Sequence, residues 1–261
     1  MANTLPLTPS NLEGEAKSEK RKTKSEKRNN MKIGIIVAME KELRQLKGLL
    51  SSPITEKQHT KEFYVGQIDD HEVILQQCGI GKVNAAIGAV EMIDAYHPDI
   101  IVSSGCAGGA STQLKITDVV VGTHCTYHDV YCGQEVAYGQ MLGMPALYES
   151  SQELVQQALN LDCGVGVHAG LIASGDWFVT SKEKMREILS HFPDALAVDM
   201  ESCAIAQTCY LHQVPFVSFR IISDIPLIDT DASQYFDFWD RMADGSFQVT
   251  QAFIKELRNR K

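Results

Sequence analysis

Three acidic side chains stand directly after apolar runs that have the length and composition of buried strands. Glu42 follows the first such run, while Glu201 and Asp224 follow the last two. Ligands of open α/β sheets bind outside the carboxyl ends of the strands, so we expect these acids at one site. Cleavage of a glycosidic bond needs an acid for the leaving group and a base for water, which paired carboxylates can supply. A glutamate in a first helical turn, as Glu42 would be, is also typical of an exposed residue that the helix dipole favours.

Three glycine-rich segments fall at predicted strand ends, at 78–81, 105–109 and 174–175. Glycine lets a ligand approach backbone N–H groups, and a turn that opens a helix presents the positive end of its dipole. The letters CGIGKV at 78–83 match neither a Walker loop nor a complete GxGxxG motif. These segments therefore indicate either a phosphate cradle or tight turns between strands and helices.

The elements that must position these residues alternate between strands and helices. Apolar, β-branched runs predict strands, and apolar residues three or four apart predict helices. One predicted helix carries its apolar residues on a single face, at Val83, Ala86, Ile87, Val90 and Ile93. We predict strands at 32–38, 62–68, 72–76, 100–104, 118–127, 165–173, 196–198 and 216–222, and helices at 39–50, 82–97, 153–161, 182–189, 202–212 and 238–258.

Alternating strands and helices predict an α/β fold, in which a central mixed, mostly parallel sheet is wrapped by helices in a three-layer-like arrangement. We expect one domain over residues 31–261. Residues 1–30 contain the near-repeat SEKRKTKSEKR and almost no apolar residue after Leu12, so we expect a disordered basic tail. The segment 129–145 has no periodicity and is predicted to be a surface loop.

Composition narrows the classes of function. The 261 residues carry a formal charge of −9, and an acidic body disfavours nucleic-acid binding. The apolar runs are shorter than the roughly 18 residues that span a bilayer, and the N-terminus lacks an apolar secretory core. We therefore predict no membrane interaction and a cytoplasmic location, in which the seven scattered cysteines stay reduced. His124 and His128 have the HxxxH spacing, but on a strand they would lie about 13 Å apart, so we predict no metal.

Five motifs, co-linear along the chain, carry a more specific resemblance. They are MKIGIIVAMEKEL at 31–43, GCAGG at 105–109, SGDWF at 174–178, AVDMESCAIAQ at 197–207 and VPFVSFRIISD at 214–224. Together they resemble the bacterial 5′-methylthioadenosine/S-adenosylhomocysteine nucleosidases, which belong to the purine nucleoside phosphorylase/hydrolase superfamily. The similarity extends over residues 31–258 and implies a nucleoside phosphorylase-like fold that needs no cofactor.

The resemblance implies catalytic roles for four residues. Asp224 matches the general acid that protonates N7 of adenine, and Ser223 matches the residue that orients it. Glu42 matches the carboxylate that activates the attacking water, and Arg220 matches the residue that helps to place that water.

The resemblance also implies a set of substrate-binding residues. Glu201 matches the carboxylate that binds the ribose hydroxyls, and Met200 matches the side chain beneath the sugar. Phe178 matches the ring stacked on adenine, and Val179 supplies backbone hydrogen bonds to the purine edge. The other residues expected to contact the substrate are Met39, Ile80, Cys106, Ala107, Gly108 and Phe236.

Phosphorylases of the same superfamily hold phosphate with a GDPxR turn after the first strand and with an arginine before the glycine-rich segment. This chain has VAME at 37–40 and SS at 103–104 in those places. The carboxylate of Glu42 would also repel phosphate. The resemblance therefore implies that water, not phosphate, is the nucleophile.

Several positions depart from the family pattern. The usual VEME motif reads VDME here, so Asp199 replaces the first glutamate, and we expect a structural role for it. Cys78 and Cys106 stand where serines are common, and a thiol is the weaker hydrogen-bonding partner. The 129–145 loop lacks the Phe-Gly-Tyr run that is expected there.

The function implied is that of a cytosolic homodimer that hydrolyses 5′-methylthioadenosine and S-adenosylhomocysteine to adenine and the thioribose product. In the family the 129–145 loop reaches the partner subunit's 5′ pocket, and Phe236, or as second choice Tyr235, should cap that pocket. Two alternatives stay open: a related nucleosidase for aminofutalosine or 5′-deoxyadenosine, and a non-catalytic nucleoside-binding protein of the same fold. The joint presence of Glu42, Glu201 and Asp224 disfavours the second.

Overall fold

The computed structural model describes residues 30–228, 232–242 and 247–257, so the predicted basic tail falls almost entirely outside the described residues. The strands are β1 (Lys32–Val37), β2 (Ser51–Gln58), β3 (Lys61–Ile68), β4 (His71–Gln77), β5 (Ile100–Gly109), β6 (Val119–Tyr127), β7 (Tyr148–Glu149), β8 (Val167–Ser174), β9 (Ala195–Asp199) and β10 (Phe216–Asp224). The helices are α1 (Glu40–Lys47), α2 (Lys82–Tyr96), α3 (Gln152–Leu159), α4 (Lys182–His191), α5 (Ser202–His212), α6 (Ser233–Asp237) and α7 (Gln248–Glu256), with a π-helical turn at Phe238–Met242.

The strands form one mixed sheet built from two parallel groups. One group contains β4, β1, β5 and β10, and the other contains β6, β8 and β9. The groups meet antiparallel at two places, where β10 pairs with β6 and where β9 pairs with β5. Because both junctions exist, the strands β10, β6, β8, β9 and β5 close into a ring, and the predicted mixed, mostly parallel sheet is confirmed.

Strand β5 connects the two groups, because it changes its partner along its length. Its first residues pair with β1, whereas Gly108 and Gly109 pair with β9. The turn predicted at 105–109 is therefore wrong, since these residues continue the strand. The space beside these glycines is narrow: a Cβ at Gly108 would lie 3.2 Å from Val198, and one at Gly109 would lie 3.1 Å from Ile222.

Helices cover both faces of the sheet and enclose an apolar core on each side. Helices α1, α3 and α7 contribute to one core, and helices α2 and α5 contribute to the other. This confirms the three-layer arrangement. Among the described helices, none is both long and apolar enough to cross a bilayer.

The apolar face predicted for α2 is largely not the face that packs inward. Ala85, Gly88 and Ala89 are buried, whereas Val83 and Ile87 are 70% and 47% exposed. Small side chains let the helix lie close to its neighbours, and a search for large apolar residues at helical spacing does not detect such a face. Met92 and Ile93 are buried too, so Ile93 is the member of the predicted face that packs inward, whereas Val83 and Ile87 form an exposed stripe.

Three elements, β2, the two-residue strand β7 and α6, escaped prediction, and one helix is divided. Strand β2 has the polar sequence SSPITEKQ with nearly every residue exposed, so it lacks the alternation that predicts a strand. Helix α6 has five residues and follows Ala232, whose φ is 59°. The helix predicted at 238–258 consists of the π-helical turn and α7, and residues 243–246 and 258 lie outside the described part of the chain.

Candidate active site

One cavity of about 420 Å³ opens beside the carboxyl ends of the central strands, a size typical of ligand sites. Every residue predicted for the site except Arg220 lines this cavity. They are Met39, Glu42, Ile80, Cys106, Ala107, Gly108, Phe178, Val179, Met200, Glu201, Ser223, Asp224 and Phe236.

Glu42 lies in the first turn of α1 and is buried, not exposed as a dipole-favoured surface acid would be. Its Oε2 accepts hydrogen bonds from the N–H groups of Ala38 and Met39, each at 2.9 Å, and its Oε1 accepts one from the Cys106 N–H at 3.0 Å. Burial raises the pKa of Glu42, while these N–H groups and the charge of Arg220 act in the opposite direction. The carboxylate is therefore fixed in position and has an increased affinity for a proton.

Glu201 sits between β9 and α5, where it is also buried. Its Oε1 accepts a hydrogen bond from the Gly81 N–H at 2.8 Å, which holds the carboxylate at one end and leaves Oε2 for a ligand. Burial, and after it the negative charge of Asp199, raise the pKa of Glu201 to about 7. Glu201 can therefore change its charge near neutral pH.

The turn at 78–81 contributes Ile80 to the cavity, but it is not an open phosphate cradle. Gly79 and Gly81 have φ angles of 95° and 93°, which explains the glycines. The N–H of Gly81 donates a hydrogen bond to Glu201 Oε1, and the N–H of Lys82 donates one to Asp176 Oδ1 at 2.8 Å. Two carboxylates thus already occupy the N-terminus of α2, and they would repel a phosphate.

Asp224 is the last residue of β10 and is buried beside Ser223. The Ser223 hydroxyl lies 2.7 Å from Asp224 Oδ1 and donates to it, and it also lies 3.3 Å from the carbonyl oxygen of Ala107. One oxygen of the carboxyl group is thereby oriented from within the protein. Asp224 also lines the cavity, so its carboxyl group is placed at the site.

Arg220 lies behind the main cavity, on a second, small cavity of about 10 Å³ that Glu42, Cys106 and Glu201 also line. This is about the volume that one water needs. A Cβ built at Gly105 would lie 2.8 Å from Glu42 Oε1 and 3.4 Å from Arg220 Nη1, so the two side chains flank the same point beside the strand. The family resemblance implies that Arg220 helps to place the attacking water, and in the structure Arg220 lies on the same small cavity as Glu42.

Asp199 is more deeply involved than its position in the motif indicated. Its Oδ2 accepts from Arg220 Nε at 2.5 Å, from the Ser202 N–H at 3.1 Å and from the Ser202 hydroxyl. Its Oδ1 accepts from the Ser174 hydroxyl at 2.5 Å. Burial opposes its ionisation, but Arg220 and the hydroxyl groups hold the pKa of Asp199 below its ordinary value.

Aromatic side chains form the wall opposite the acids. The ring of Phe178 lies 5.1 Å from that of Tyr235 in an edge-on arrangement, and Phe236 is 5.5 Å from Tyr235. Both candidates for the cap, Phe236 and Tyr235, therefore line the cavity. Trp177 lines it too and was not singled out from the sequence, although a large aromatic residue directly before Phe178 was a usable signal.

Cys78 and Cys106, which stand where serines are common in the family, have little effect on the hydrogen bonds seen in the site. Cys106 contacts Glu42 through its backbone N–H, which any residue would provide. Burial, and then the charge of Glu42, raise the pKa of the Cys106 thiol well above its ordinary value, so it is a neutral thiol and not a nucleophile. Burial likewise raises the pKa of Cys78 to about 12.

The two histidines of the HxxxH spacing are not arranged as a metal pair. His124 lies on β6 with its Nε2 3.8 Å from Glu149 Oε1, and His128 is buried beyond the end of that strand. Within residues 30–228, 232–242 and 247–257, no group of three or more His, Cys, Asp or Glu side chains could hold a metal ion.

The ringed mixed sheet between two helical layers, with acids at the strand ends around one cavity, defines an α/β protein of the nucleoside phosphorylase type. A family profile described as "Phosphorylase superfamily" matches residues 32–257. A nucleosidase from Exiguobacterium sp., named 5′-methylthioadenosine/S-adenosylhomocysteine nucleosidase, is 40% identical over 234 residues, which cover 87% of this chain and 99% of that protein. The chain therefore belongs to the family of 5′-methylthioadenosine/S-adenosylhomocysteine nucleosidases within this superfamily.

Solved structures of the family superpose closely on this chain. The Streptococcus pneumoniae enzyme, with a transition-state inhibitor, is 36% identical, has a TM-score of 0.81 and matches over 87% of this chain and 99% of its own. The Colwellia psychrerythraea enzyme, in complex with adenine, is 34% identical, has a TM-score of 0.80 and matches over 88% of this chain and 97% of its own. The resemblance that the five motifs indicated is confirmed.

Proposed function

We propose that this chain hydrolyses the N-glycosidic bond of 5′-methylthioadenosine and S-adenosylhomocysteine, releasing adenine and the thioribose product. The observation that carries the proposal is that Glu42, Glu201 and Asp224, from three different strand ends, line one cavity together with the ring of Phe178. The names of the relatives support this choice of substrates, because those proteins are nucleosidases of the same two compounds.

Departure of adenine requires a proton at N7, and Asp224 supplies it. The Ser223 hydroxyl donates to Oδ1 of Asp224 and orients the carboxyl group, and Asp224 lines the cavity in which the purine would lie. The Phe178 ring stacks on the purine and the Val179 backbone binds its edge. A positioned acid of this kind typically contributes on the order of 10²–10⁴ to the rate.

The sugar develops positive charge as the bond breaks, and Glu201 stabilises it. The Gly81 N–H fixes Oε1, so that Oε2 accepts hydrogen bonds from the ribose hydroxyls while the negative charge lies close to the cationic ring. Met200 packs beneath the sugar. This role requires the ionised form of Glu201.

The nucleophile is water, and Glu42 takes its proton. Three backbone N–H groups hold the Glu42 carboxylate, and its raised pKa makes it a stronger base than an exposed glutamate. Arg220, on the same small cavity, places the water. The charge of Glu42 at this point excludes phosphate, which distinguishes hydrolysis from phosphorolysis.

The 5′ group contacts an apolar wall that suits a thioether. Met39, Ile80 and Phe236 line the cavity, and Tyr235 stands between Phe178 and Met39, with its hydroxyl 3.8 Å from the Met39 sulfur. Ile80 and Phe236 are about half exposed or more, so the cavity is open on this side to a longer 5′ substituent.

The activity is tested by following free adenine after the protein is mixed with 5′-methylthioadenosine, S-adenosylhomocysteine or aminofutalosine in phosphate-free buffer. We expect adenine from the first two. Asp224→Asn should lower turnover by about 10²–10⁴ while the variant still binds adenine. Release from aminofutalosine alone would favour the related nucleosidase, and no release from any nucleoside would favour a binding protein.

We further propose that residues 31–261 act as one catalytic unit and that two copies form a homodimer. The exposed stripe of α2, at Val83 and Ile87, begins directly after Ile80 at the mouth of the cavity. Lys82 Nζ binds Asp129 at 2.7 Å, so the 129–145 loop starts beside the same stripe. A two-fold contact through this face would bring that loop of each copy to the partner's 5′ pocket.

We place the enzyme in the cytoplasm. All seven cysteines are free, which is the expected state in a reducing compartment. The acidic charge of the chain is consistent with small nucleosides as ligands and disfavours nucleic acid.

A further inference from the structure

The carboxylate of Asp199 is buried among donors and is not available to a ligand. Its side chain is 1% exposed, although the residue borders the main cavity. It accepts four hydrogen bonds, from Ser174, from the backbone and side chain of Ser202, and from Arg220. Asp199 therefore acts on other residues of the protein and not on the substrate.

The bonds of Asp199 converge on the guanidinium of Arg220. The Nε of Arg220 donates to Asp199, its Nη2 donates to the Ser103 hydroxyl at 2.8 Å, and its Nη1 donates to the Phe219 carbonyl oxygen at 3.1 Å. Because the guanidinium is planar, fixing Nε and Nη2 fixes its plane. The Nη1 edge then faces the point beside Gly105 where Glu42 also lies.

We propose that Asp199 is the positioning residue of the water-activating half of the site: it holds Arg220 against β9 and so keeps the guanidinium from pairing with Glu42. The proposal rests on the hydrolysis proposed above. Ser174 and the start of α5 in turn hold Asp199, so its carboxylate joins the ends of β8 and β9 to the middle of β10.

Removal of the negative charge would redirect Arg220. In Asp199→Asn the side chain carries no negative charge and has one acceptor oxygen where the carboxylate has two, so it holds the guanidinium of Arg220 more weakly. The nearest remaining acid on the small cavity is Glu42. Arg220 would then turn toward Glu42, lower its basicity and displace the attacking water.

The first test separates kcat from KM. We expect Asp199→Asn to lower kcat for 5′-methylthioadenosine by about 10²-fold, as displacement of a catalytic group does, while KM changes by less than about threefold. The affinity of this variant for adenine, measured by calorimetry, should stay near the wild-type value. An unchanged affinity shows that the part of the site that binds the purine is folded. Ser218→Ala is the matched control: it removes a buried hydroxyl 2.8 Å from that of Ser202 without touching Asp199 or Arg220, and its kcat should stay near wild type.

A double-mutant cycle identifies Arg220 as the target. In the Arg220→Gln background, we expect Asp199→Asn to lower kcat by less than about threefold further, because residues in contact give non-additive effects. Equal losses in both backgrounds would overturn the proposal. So would a full kcat in Asp199→Asn.

A conservative variant covers the case in which Asp199→Asn does not fold. Asp199→Glu combined with Ser202→Ala keeps the charge beside Arg220 and makes room for one more methylene, so we expect kcat within about tenfold of wild type. A loss as large as that of Asp199→Asn would contradict a positioning role. If the wild type itself released no adenine, the proposed hydrolysis would fail, and this proposal would fail with it. If the wild type is active and Asp199→Asn and Arg220→Gln lower kcat additively, only this proposal is overturned.

Discussion

Glu42 and Glu201 are both buried glutamates, and the groups around them give them different tasks. Glu42 accepts three backbone N–H groups, which fix its position and, with the charge of Arg220, act against the rise in its pKa that burial causes. Glu201 accepts one, from Gly81, and burial and the charge of Asp199 both raise its pKa. The raised pKa of Glu201 has consequences that can be measured.

Binding of the ribose should depend on pH through Glu201. Its pKa is raised to about 7 by burial and by Asp199, and the role proposed for it needs the ionised form. We therefore expect kcat/KM for 5′-methylthioadenosine to fall as the pH drops below about 7, since kcat/KM reports the ionisation of the free enzyme. Glu201→Gln should be poorly active and should lack this dependence; a wild-type profile that is flat from neutral pH down to the pKa of an ordinary glutamate would contradict it.

The same shift predicts that Glu201 destabilises the folded protein at neutral and alkaline pH. The unfolded chain loses this proton near the ordinary glutamate pKa of 4.5, whereas in the folded protein the pKa is about 7. Stability from this group is therefore lost as the pH rises between those values, and the full cost applies above about 7. Glu201→Gln should raise the free energy of unfolding above that pH by on the order of 1–3 kcal/mol, with the difference vanishing toward the acid end. Urea unfolding across the pH range measures it, and a variant less stable than wild type at alkaline pH would show the opposite sign.

At the scale of elements, the parts that carry the chemistry were the most predictable from the sequence. Helix α5 was predicted at its observed bounds, and β10 was predicted within two residues of its observed end. A buried parallel strand is a continuous apolar run, and Pro215 separates the helix from the strand that follows it. The predicted site residues also came together, since most of them follow such strands. Asp199 was underestimated because its importance comes from Ser174 and Arg220, which are distant in sequence.

Features that depend on close approach between elements could not be predicted. The GCAGG segment reads as a turn, yet it continues β5 because that strand exchanges β1 for β9 as its partner. Most of the packing face of α2 is made of small residues, so the large exposed side chains of Val83 and Ile87 misled the assignment. The extension of β5 and the packing face of α2 both depend on how near another element lies. The periodicity of apolar residues along one segment does not contain this distance.

The narrow space beside β5 predicts a strong effect from one methyl group. In Gly105→Ala the new Cβ would lie 2.8 Å from Glu42 Oε1, and Glu42 cannot yield without losing its bond to the Cys106 N–H. We expect kcat to fall by about 10²-fold, because the base and the water are displaced together. Gly48→Ala is the control, since its φ is −64° and the nearest contact of its Cβ is 4.0 Å away. Equal kcat in the two variants would show that this space is not needed.

At the scale of the whole molecule, closure of the strand ring brings acids from distant segments around one cavity and leaves one helical face without a cover. The stripe at Val83 and Ile87 lies on α2, and the neighbouring α5 exposes Tyr210 and Leu211. Large exposed apolar side chains on adjacent helices are typical of an interface between subunits.

A charge placed in this face should separate the proposed dimer. We expect Ile87→Lys to be a monomer by sedimentation, because a lysine would have to be buried without a partner in the interface. Its KM for 5′-methylthioadenosine should rise at least about tenfold, the effect of losing roughly 1.4 kcal/mol of binding at the 5′ pocket, while adenine binding is kept. Glu153→Lys, an exposed charge change on α3, should stay dimeric. A monomeric wild type, or a dimeric Ile87→Lys with unchanged KM, would contradict the proposal.

Water as the nucleophile is the central claim, and the sugar product tests it most directly. The wild-type protein is given 5′-methylthioadenosine with phosphate absent and with phosphate in excess, and the products are identified by mass spectrometry while the rate of adenine release is recorded. Because the carboxylate of Glu42 would repel phosphate, we predict the same rate in both buffers and free methylthioribose as the sugar. A rate that depends on phosphate, with methylthioribose 1-phosphate as the product, would contradict it.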